Sequence, residues 1–271
     1  MSKISMYCIT LEPEHLGIIK KLNYFPVGLG DKDFNAQWMK DSSGENISSK
    51  NKFYGEYTFH YWIWKNGLNK LGNEWIGFCQ YRKFWLKENI VNKDFTFESF
   101  SKSILSSVPE NIDNYDSILG EPYYVNEFKF SKFIKKNLKT MLFSPTLFFN
   151  KNKRNVKFHF DMMHGHGNLD RAINLLDRKD QIDFKNFINN STSINPHNMF
   201  ICKSKEILKA YYESIFPWLK RCEAEFGFKN LKGYGLQRIY GFLAERYMSY
   251  WFQKNTKFKT LPILFKDISD F

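Results

Sequence analysis

The chain has 271 residues, of which 43% are hydrophobic, so it can bury a core of domain size and is not a disordered protein. Its formal net charge is +12, and 18% of its residues are aromatic. The charge indicates an anionic partner, which could be nucleic acid, a membrane surface or a phosphate-bearing substrate. Composition alone does not choose among these three.

The cysteines and the N-terminal sequence indicate a reducing compartment. Cys8, Cys79, Cys202 and Cys222 are far apart and form no C-x-x-C pair, which predicts reduced core thiols. The N-terminal residues are too polar for a signal peptide, and no apolar run reaches the ~20 residues of a membrane span. We therefore expect a cytoplasmic protein that contacts a membrane only peripherally, at the inner face of the plasma membrane.

The first elements follow an α/β order, with a strand predicted over residues 4–10, a helix over 13–22 and a strand over 24–27. The glycine turn after this second strand lacks a third glycine opening a helix, so it is weak evidence for a dinucleotide site. Asp31 and Asp33 form an Asp-x-Asp pair that could hold a divalent metal. Because the pair follows a turn rather than a long apolar strand, we favour the interpretation that both side chains are solvated at the surface and hold no metal.

Residues 41–83 combine apolar bulk with fixed charge. The run from 50 to 65 contains no proline and carries aromatic residues on nearly every face, which predicts one buried helix. Glu56 lies near its middle, and a carboxylate in an aromatic core needs a partner. Asp41, Asn46 and Asn51 lie in the polar stretch around the helix N-terminus, where a bound anion or polar ligand is favoured.

A short apolar strand is predicted over residues 75–79, and it ends in Gln80, Tyr81, Arg82 and Lys83. This pattern is typical of a central strand whose carboxyl end opens on a ligand crevice. Two adjacent cations at that position suit a diphosphate. The alternative is a solvated strand end, with Glu56 serving as a structural partner for one of the two cations.

A helix over residues 95–105 and a strand over 115–119 precede a basic insertion at about residues 126–160. No acidic residue occurs from 129 to 160, and lysines alternate there with phenylalanines. The segment is either a solvated insertion with aromatic residues beneath it, or a patch that lies on an anionic membrane. We favour the second interpretation, in which each cation contributes ~1 kcal/mol.

Gly165 and Gly167 end one predicted helix, and Asp170 lies in the first turn of the next one. The helix dipole stabilises a carboxylate there, which suits a general base, although any ordinary helix-start aspartate shows the same pattern. His164 and His166 lie close by, but a His-x-His pair without a third ligand is not a metal site.

The C-terminal part is predicted as a turn that leads into a buried strand within residues 194–202, with Asn198 at the entrance of the strand, and two amphipathic helices over 205–226 and 237–252. Arg238 and Glu245 are seven residues apart and therefore share one face of the second helix. They either pair with each other or flank a site.

Several blocks together resemble a bacterial glycosyltransferase family from capsule, exopolysaccharide and lipopolysaccharide loci, long catalogued as a domain of unknown function. The first block is long and specific, and the resemblance covers roughly residues 24–262. The blocks are Pro26-Val27-Gly28, Asp41-x-x-Gly44-x-Asn46-Ile47-x-x-Lys50-Asn51, Glu56, Tyr61-Trp62-Ile63-Trp64-Lys65-Asn66, Ile76-Gly77, Tyr81-Arg82, Asn198-Met199-Phe200-Ile201, Arg238, Gly241-Phe242 and Glu245-Arg246.

The resemblance implies an α/β fold with a single Rossmann-like, GT-A-like nucleotide-sugar transferase domain over residues 1–271, with the basic insertion and C-terminal helices. It implies transfer of galactofuranose or another hexose from a nucleotide sugar to a growing capsular, exopolysaccharide or lipopolysaccharide glycan or a lipid-linked glycan. Asp170 resembles the acid with which inverting transferases of this fold deprotonate the acceptor hydroxyl.

The remaining site residues are predicted in two groups. The donor-binding group is Pro26, Val27, Gly28, Asp41, Asn46, Asn51, Glu56, Gln80, Tyr81, Arg82 and Lys83. The group on the acceptor side, or one layer behind the contacts, is His164, His166, Asn198, Arg238 and Glu245.

Metal-independent transfer without a cofactor is expected. Related single-domain transferases often hold a metal with Asp-x-Asp at the end of a central strand, and this chain has Gln80, Tyr81, Arg82 and Lys83 there. Fixed cations can neutralise a departing diphosphate, so we favour them over a Mn²⁺ or Mg²⁺ site at the Asp-x-Asp pair.

Two other functions stay open at this point. In the family pattern a histidine usually occupies the position of Gln80, and this departure is compatible with an inactive scaffold in polysaccharide assembly. The net charge and the Lys/Phe alternation are compatible with a nucleic-acid-binding module. The cations cluster in one insertion and no nucleic-acid motif occurs, so we expect no nucleic-acid partner.

Overall fold

The computed structural model describes residues 2–90, 94–127 and 150–271. The strands are β1 (Ser2–Thr10), β2 (Phe25–Gly28), β3 (Met39–Lys40), β4 (Trp75–Gln80), β5 (Lys83–Trp85), β6 (Ser107–Val108), β7 (Ser117–Gly120), β8 (Tyr123–Tyr124), β9 (Ser193–Ile194), β10 (Phe200–Cys202), β11 (Phe258–Leu261) and β12 (Ile263–Phe265). The α-helices are α1 (Leu16–Lys21), α2 (Asn51–Tyr54), α3 (Tyr57–Trp62), α4 (Phe97–Ser103), α5 (Val156–His164), α6 (Asn168–Ile173), α7 (Arg178–Asn190), α8 (Lys205–Phe226), α9 (Tyr234–Gln237) and α10 (Ile239–Asn255).

One mixed sheet runs through the described chain in the order β11-β7-β10-β4-β1-β2-β3. The strands from β4 to β3 are parallel, and β10 is antiparallel to both of its neighbours. The carboxyl ends of β1, β2 and β4 therefore meet at one edge of the sheet, where open α/β folds bind ligands. This architecture confirms the predicted Rossmann-like α/β class.

The sheet separates two hydrophobic cores, because successive side chains of a strand point to opposite faces. In β1, Tyr7 and Ile9 belong to the core that contains α3, α8 and α10, whereas Met6 and Cys8 belong to the core beneath α1 and α4. All four cysteines are buried and free, as the sequence predicted.

The predicted helix over residues 50–65 is wrong in one respect, since the structure divides it at Gly55. This glycine has φ 59°, in the left-handed region, and separates α2 from α3. A Cβ atom there would lie 2.0 Å from Nη2 of Arg238. The break at Gly55 therefore lets the guanidinium of Arg238, at the start of α10, reach the middle of the aromatic segment.

The basic insertion is described only in part, since residues 128–149 lie outside the described ranges. Its final part forms a 3-10 turn, Lys151–Lys153, and most of helix α5. Within the described residues, no helix combines the length and apolar character needed to cross a bilayer.

Candidate active site

A cleft of about 680 Å³ opens where β1, β2 and β4 end. Its size is that of pockets that bind small ligands, and its position is the crevice expected for an open α/β sheet. The residues that line it are Ile9, Thr10, Leu11, Leu29, Asn51, Lys52, Gly55, Glu56, Gln80, Tyr81, Arg82, Lys83, His197, Asn198, Tyr234, Gln237, Arg238, Gly241, Phe242 and Glu245.

The turn between β4 and β5 places two cations in this cleft. Nζ of Lys83 donates to Oε1 of Gln80 at 3.2 Å, and Nε2 of Gln80 donates to the carbonyl of His197 at 3.0 Å. Burial lowers the pKa of Lys83, and the nearby Glu56 and Glu245 act in the opposite direction. Arg82 is more exposed and donates through Nε to Asp267 at 2.6 Å.

Glu56 follows Gly55 directly and forms one wall of the cleft. Its Oε1 accepts from Nδ2 of Asn198 at 2.7 Å, and its Oε2 pairs with Nη2 of Arg238 at 3.1 Å. The Glu56 side chain is only 13% exposed, so these two partners provide the compensation that a buried carboxylate needs. The alternative prediction from the sequence, in which Glu56 pairs with Arg82 or Lys83, is therefore wrong about the partner, which is Arg238.

A strained corner before β10 connects both carboxylates of the cleft. His197 and Asn198 have φ 76° and 53°, values that residues other than glycine rarely adopt and that concentrate at functional sites. The backbone N–H of His197 donates to Oε1 of Glu245 at 2.6 Å, while the side chain of Asn198 holds Glu56. Burial lowers the pKa of His197 to about 3, which keeps its ring neutral near pH 7.

Glu245 is held from behind by a buried cation. Its Oε2 pairs with Nη1 of Arg246, which is 2% exposed and also contacts Nδ1 of His159 at 3.2 Å through Nη2. The guanidinium of Arg246 lies over the ring of Phe160, 5.4 Å from its centroid. Arg238 and Glu245 therefore do not pair with each other, and both line the cleft.

The structure brings nine of the predicted site residues into the cleft lining: Asn51, Glu56, Gln80, Tyr81, Arg82, Lys83, Asn198, Arg238 and Glu245. Eight others lie outside it: Pro26, Val27, Gly28, Asp41, Asn46, His164, His166 and Asp170.

The β2 residues and the loop before α2 have structural reasons for their position. Pro26, Val27 and Gly28 are buried in the sheet, and a Cβ on Gly28 would overlap the ring of Phe34 at 2.4 Å. Leu29, the next residue, reaches the cleft instead. The residue that follows β2, and not the residues of β2 itself, therefore contributes to the cleft lining.

Asp41 and Asn46 lie outside the cleft lining, and only Asn46 is satisfied within its own loop, since Oδ2 of Asp41 is buried without a hydrogen-bond partner among the described residues. Asp41 is 1% exposed, and burial raises the pKa of its carboxyl, against a hydrogen bond with Thr58. Asn46 donates to the carbonyl of Gly44 at 2.9 Å and accepts from the N–H of Ser48 at 3.2 Å. The Asn46 side chain therefore supports the loop that leads into α2, and neither residue lines the cleft.

Asp170 lies in the first turn of α6, as predicted, but its Oδ2 pairs with Nζ of Lys157 at 2.6 Å. The same Lys157 amine pairs with Asp161 at 2.8 Å. His166 is exposed, whereas His164 is buried and stacks on Phe242 with 3.9 Å between ring centroids. His164 therefore supports the cleft wall from behind, and Asp170 belongs to a charged cluster outside the cleft lining.

Sequence reasoning missed several residues that line the cleft, including Thr10, Lys52, Gly55, His197 and Tyr234. Gly55 was the available signal, since a glycine inside a helical pattern marks a break or a close approach. The positive φ of His197 has no comparable signature in the sequence.

The Asp-x-Asp pair lies on the surface, because Asp31 and Asp33 are exposed and neither lines the cleft. In the described ranges, no three His, Cys, Asp or Glu side chains cluster as metal ligands would.

Comparisons with known proteins identify the family. The sequence profile described as "Domain of unknown function (DUF4422)" matches residues 12–256. A search of curated proteins gave no match. The apo structure of the bifunctional glycosyltransferase WbbM is similar in fold, with a TM-score of 0.65 and 21% identity. That similarity covers 97% of this chain and 45% of the WbbM chain, so this protein spans less than half of WbbM's length.

The profile match confirms the family resemblance inferred from the sequence blocks, and the similar structure confirms the fold class. Because the match extends over far more than half of the sequence, the chain belongs to the DUF4422 family.

Proposed function

We propose that this chain is a nucleotide-sugar-dependent glycosyltransferase. The observation that carries the proposal is the charge of the cleft, in which Lys52, Arg82, Lys83 and Arg238 outnumber the two carboxylates. A concave site with an excess of fixed cations attracts an anionic ligand, and its position at the parallel strand ends suits a nucleotide.

The donor diphosphate is proposed to lie between the β4–β5 turn and the start of α10, near Arg82, Lys83 and Arg238. These cations would stabilise the negative charge that develops on the departing nucleoside diphosphate. Lys83 is suited to this role because it is partly desolvated and donates its hydrogen bond to the neutral side chain of Gln80. We therefore propose transfer that does not depend on a divalent metal.

We assign the general base to Glu56 instead of Asp170, because Glu56 lines the cleft and Asp170 does not. Arg238, the cation that pairs with Glu56, also lines the cleft and is 32% exposed. An incoming diphosphate would compete for this guanidinium and leave the carboxylate free to accept a proton. Glu245 lacks that opportunity, since its partner Arg246 is buried behind the wall.

Glu245 is proposed as a positioning residue. It fixes the backbone of His197, and the adjacent Asn198 fixes Glu56. Loss of Glu245 would therefore act on the reaction through the orientation of Glu56.

The proposed step inverts the configuration of the transferred sugar. The acceptor hydroxyl oxygen forms a bond to the anomeric carbon, while the bond from that carbon to the diphosphate oxygen breaks. The electron pair of the broken bond leaves with the nucleoside diphosphate, and the hydroxyl proton passes to Glu56.

The family resemblance supports a surface-polysaccharide acceptor, which we propose to be a capsular, exopolysaccharide or lipopolysaccharide glycan or a lipid-linked glycan. Galactofuranose or another hexose is the proposed transferred sugar. Peripheral contact with an anionic membrane is also proposed, on the basis of the basic insertion in the sequence.

The test compares two carboxylate variants. Each variant is incubated with a panel of nucleotide sugars and with methyl glycosides as acceptors, and released nucleoside diphosphate is measured with and without chelator. We expect Glu56→Gln to lose turnover by about 100-fold or more, as for removal of a general base, and Asp170→Asn to keep it. Full activity of Glu56→Gln, or loss confined to Asp170→Asn, would return the base role to Asp170. Activity that vanishes with chelator and returns with Mn²⁺ would contradict metal-independent transfer.

A further inference from the structure

A second, smaller cavity of about 260 Å³ lies beside the cleft. It has room for one sugar ring but not for a nucleotide sugar. Its lining combines apolar side chains with an amide and a carboxylate: Leu86, Asn89, Ile90, Glu121, Pro262, Ile263, Leu264 and Phe265.

Phe265 of the second cavity is next to two residues that line the cleft. It pairs with Lys83 across the β5–β12 ladder, and its ring lies 5.0 Å from the His197 imidazole, between centroids. Lys83 and His197 both line the cleft, whereas Phe265 lines the second cavity. A chain of sugar units could therefore pass from one cavity to the other across a single side chain.

The Phe265 ring is an exposed aromatic surface. It is 63% exposed although it belongs to a strand of the main sheet. An exposed ring beside a pocket offers a flat apolar face to the C–H groups of a sugar, while the ring edge and neighbouring groups stay in water. The core does not require this ring, because Leu264 supplies the buried side chain of β12.

The lining of the second cavity also includes a polar pair, Asn89 and Glu121. Nδ2 of Asn89 donates to Oε1 of Glu121 at 3.3 Å, and both side chains are exposed. The backbone N–H of Glu121 donates to the carbonyl of Leu261 at 3.0 Å, which fixes this residue beside β11. Together the amide and the carboxylate offer the donors and acceptors that neighbouring sugar hydroxyls need.

The charge of the lining excludes the donor. Its described residues include one carboxylate, Glu121, and no lysine or arginine, so a diphosphate would be repelled there. A neutral, hydroxyl-rich ligand fits both the charge and the apolar wall.

We propose that this second cavity is a subsite for a sugar unit of the acceptor glycan, adjacent to the unit that receives the transferred sugar. Only the naming of the ligand as acceptor rests on the proposed function, since the recognition of a neutral sugar follows from the cavity itself.

The test measures sugar binding and nucleotide binding separately on the same proteins. Saturation-transfer NMR with methyl glycosides of galactose, galactofuranose, glucose and N-acetylglucosamine reports sugar binding. Thermal shift with nucleotide sugars reports the cleft. The variants are Phe265→Ala, Phe265→Tyr, Glu121→Ala and, as a control, Tyr124→Ala, which removes a half-exposed ring that lines neither cavity.

We expect at least one methyl glycoside to bind the wild-type protein. Phe265→Ala and Glu121→Ala should weaken that binding by about tenfold, while Phe265→Tyr and Tyr124→Ala leave it unchanged. All four variants should keep the wild-type response to nucleotide sugars. Binding that is equal in Phe265→Ala and wild type, or absent from the wild type, would overturn the subsite. If the wild-type protein binds a methyl glycoside but shows no thermal shift with nucleotide sugars, the proposed function is contradicted and the sugar subsite stands.

Discussion

Replacement of Arg238 by methionine tests the ion pair at the centre of the site. The change removes the cation that lies 3.1 Å from Oε2 of Glu56 and leaves the other carboxylate oxygen with Asn198. Breaking a fully buried pair costs about 3–5 kcal/mol, whereas exposed pairs contribute about 0–1 kcal/mol. Because Arg238 is 32% and Glu56 13% exposed, we expect a loss of about 2 kcal/mol in the free energy of unfolding.

Urea unfolding at pH 7 measures this loss, and the double variant Glu56→Gln/Arg238→Met separates charge from packing. Without the carboxylate charge there is no buried ion to compensate, so the double variant should recover about 1 kcal/mol relative to Arg238→Met. Arg82→Met is the matched control, since its pair with Asp267 is 62% exposed on the arginine side and should contribute less than about 1 kcal/mol. Wild-type stability in Arg238→Met, or a double variant no more stable than the single one, would refute the reasoning.

Two further predictions concern pH and backbone strain. Burial lowers the pKa of His60 to about 3 and of His164 to about 2, so both rings are neutral in the folded protein while the unfolded chain takes up protons below its own pKa of about 6.5. The stabilisation is therefore present above about pH 6.5 and is lost as the pH falls, so the free energy of unfolding should decrease by about 2 kcal/mol per ring at pH 5. Urea unfolding measures this, and a free energy of unfolding that stays constant from pH 7 to pH 5 would contradict it. Gly55→Ala combines an unfavourable φ with a Cβ 2.0 Å from Nη2 of Arg238, so it should cost about 2–3 kcal/mol and displace that guanidinium from the cleft. Gly167→Ala is the control, because its φ is 78° and nothing lies within 4 Å of the added Cβ, so it should cost only the backbone strain of about 1–2 kcal/mol. Equal losses in the free energy of unfolding of the two variants would exclude a contribution from the overlap with Arg238.

Much of the architecture could be predicted from local patterns. The run over residues 75–79 is apolar on both faces because β4 lies between two cores, and its polar end marks the crevice. Helix α8 has the bounds that were predicted for it, residues 205–226, and in the structure Ser204 caps its start and Gly227 follows its end.

The pairing inside the site could not be predicted, because it depends on contacts between distant parts of the chain. The sequence showed that Glu56 needs a partner, but Arg238 is 182 residues away and reaches it only through the gap at Gly55. Asp170 had a local pattern suited to a base, and that pattern carries no information on which way the helix start faces. In the structure it faces Lys157.

The central claim is that the cleft holds a sugar nucleotide through its diphosphate. The most direct test is a thermal-shift comparison of the wild type and Lys83→Met with nucleotide sugars, free nucleotides and uncharged sugars. We expect one nucleotide sugar and its nucleoside diphosphate to raise the melting temperature of the wild type, because a ligand that binds the native state stabilises it. The dissociation constant from such titrations should rise by about tenfold in Lys83→Met, as for the loss of one charge-assisted hydrogen bond. A wild-type protein that no nucleotide stabilises, or equal dissociation constants in the two proteins, would contradict the account.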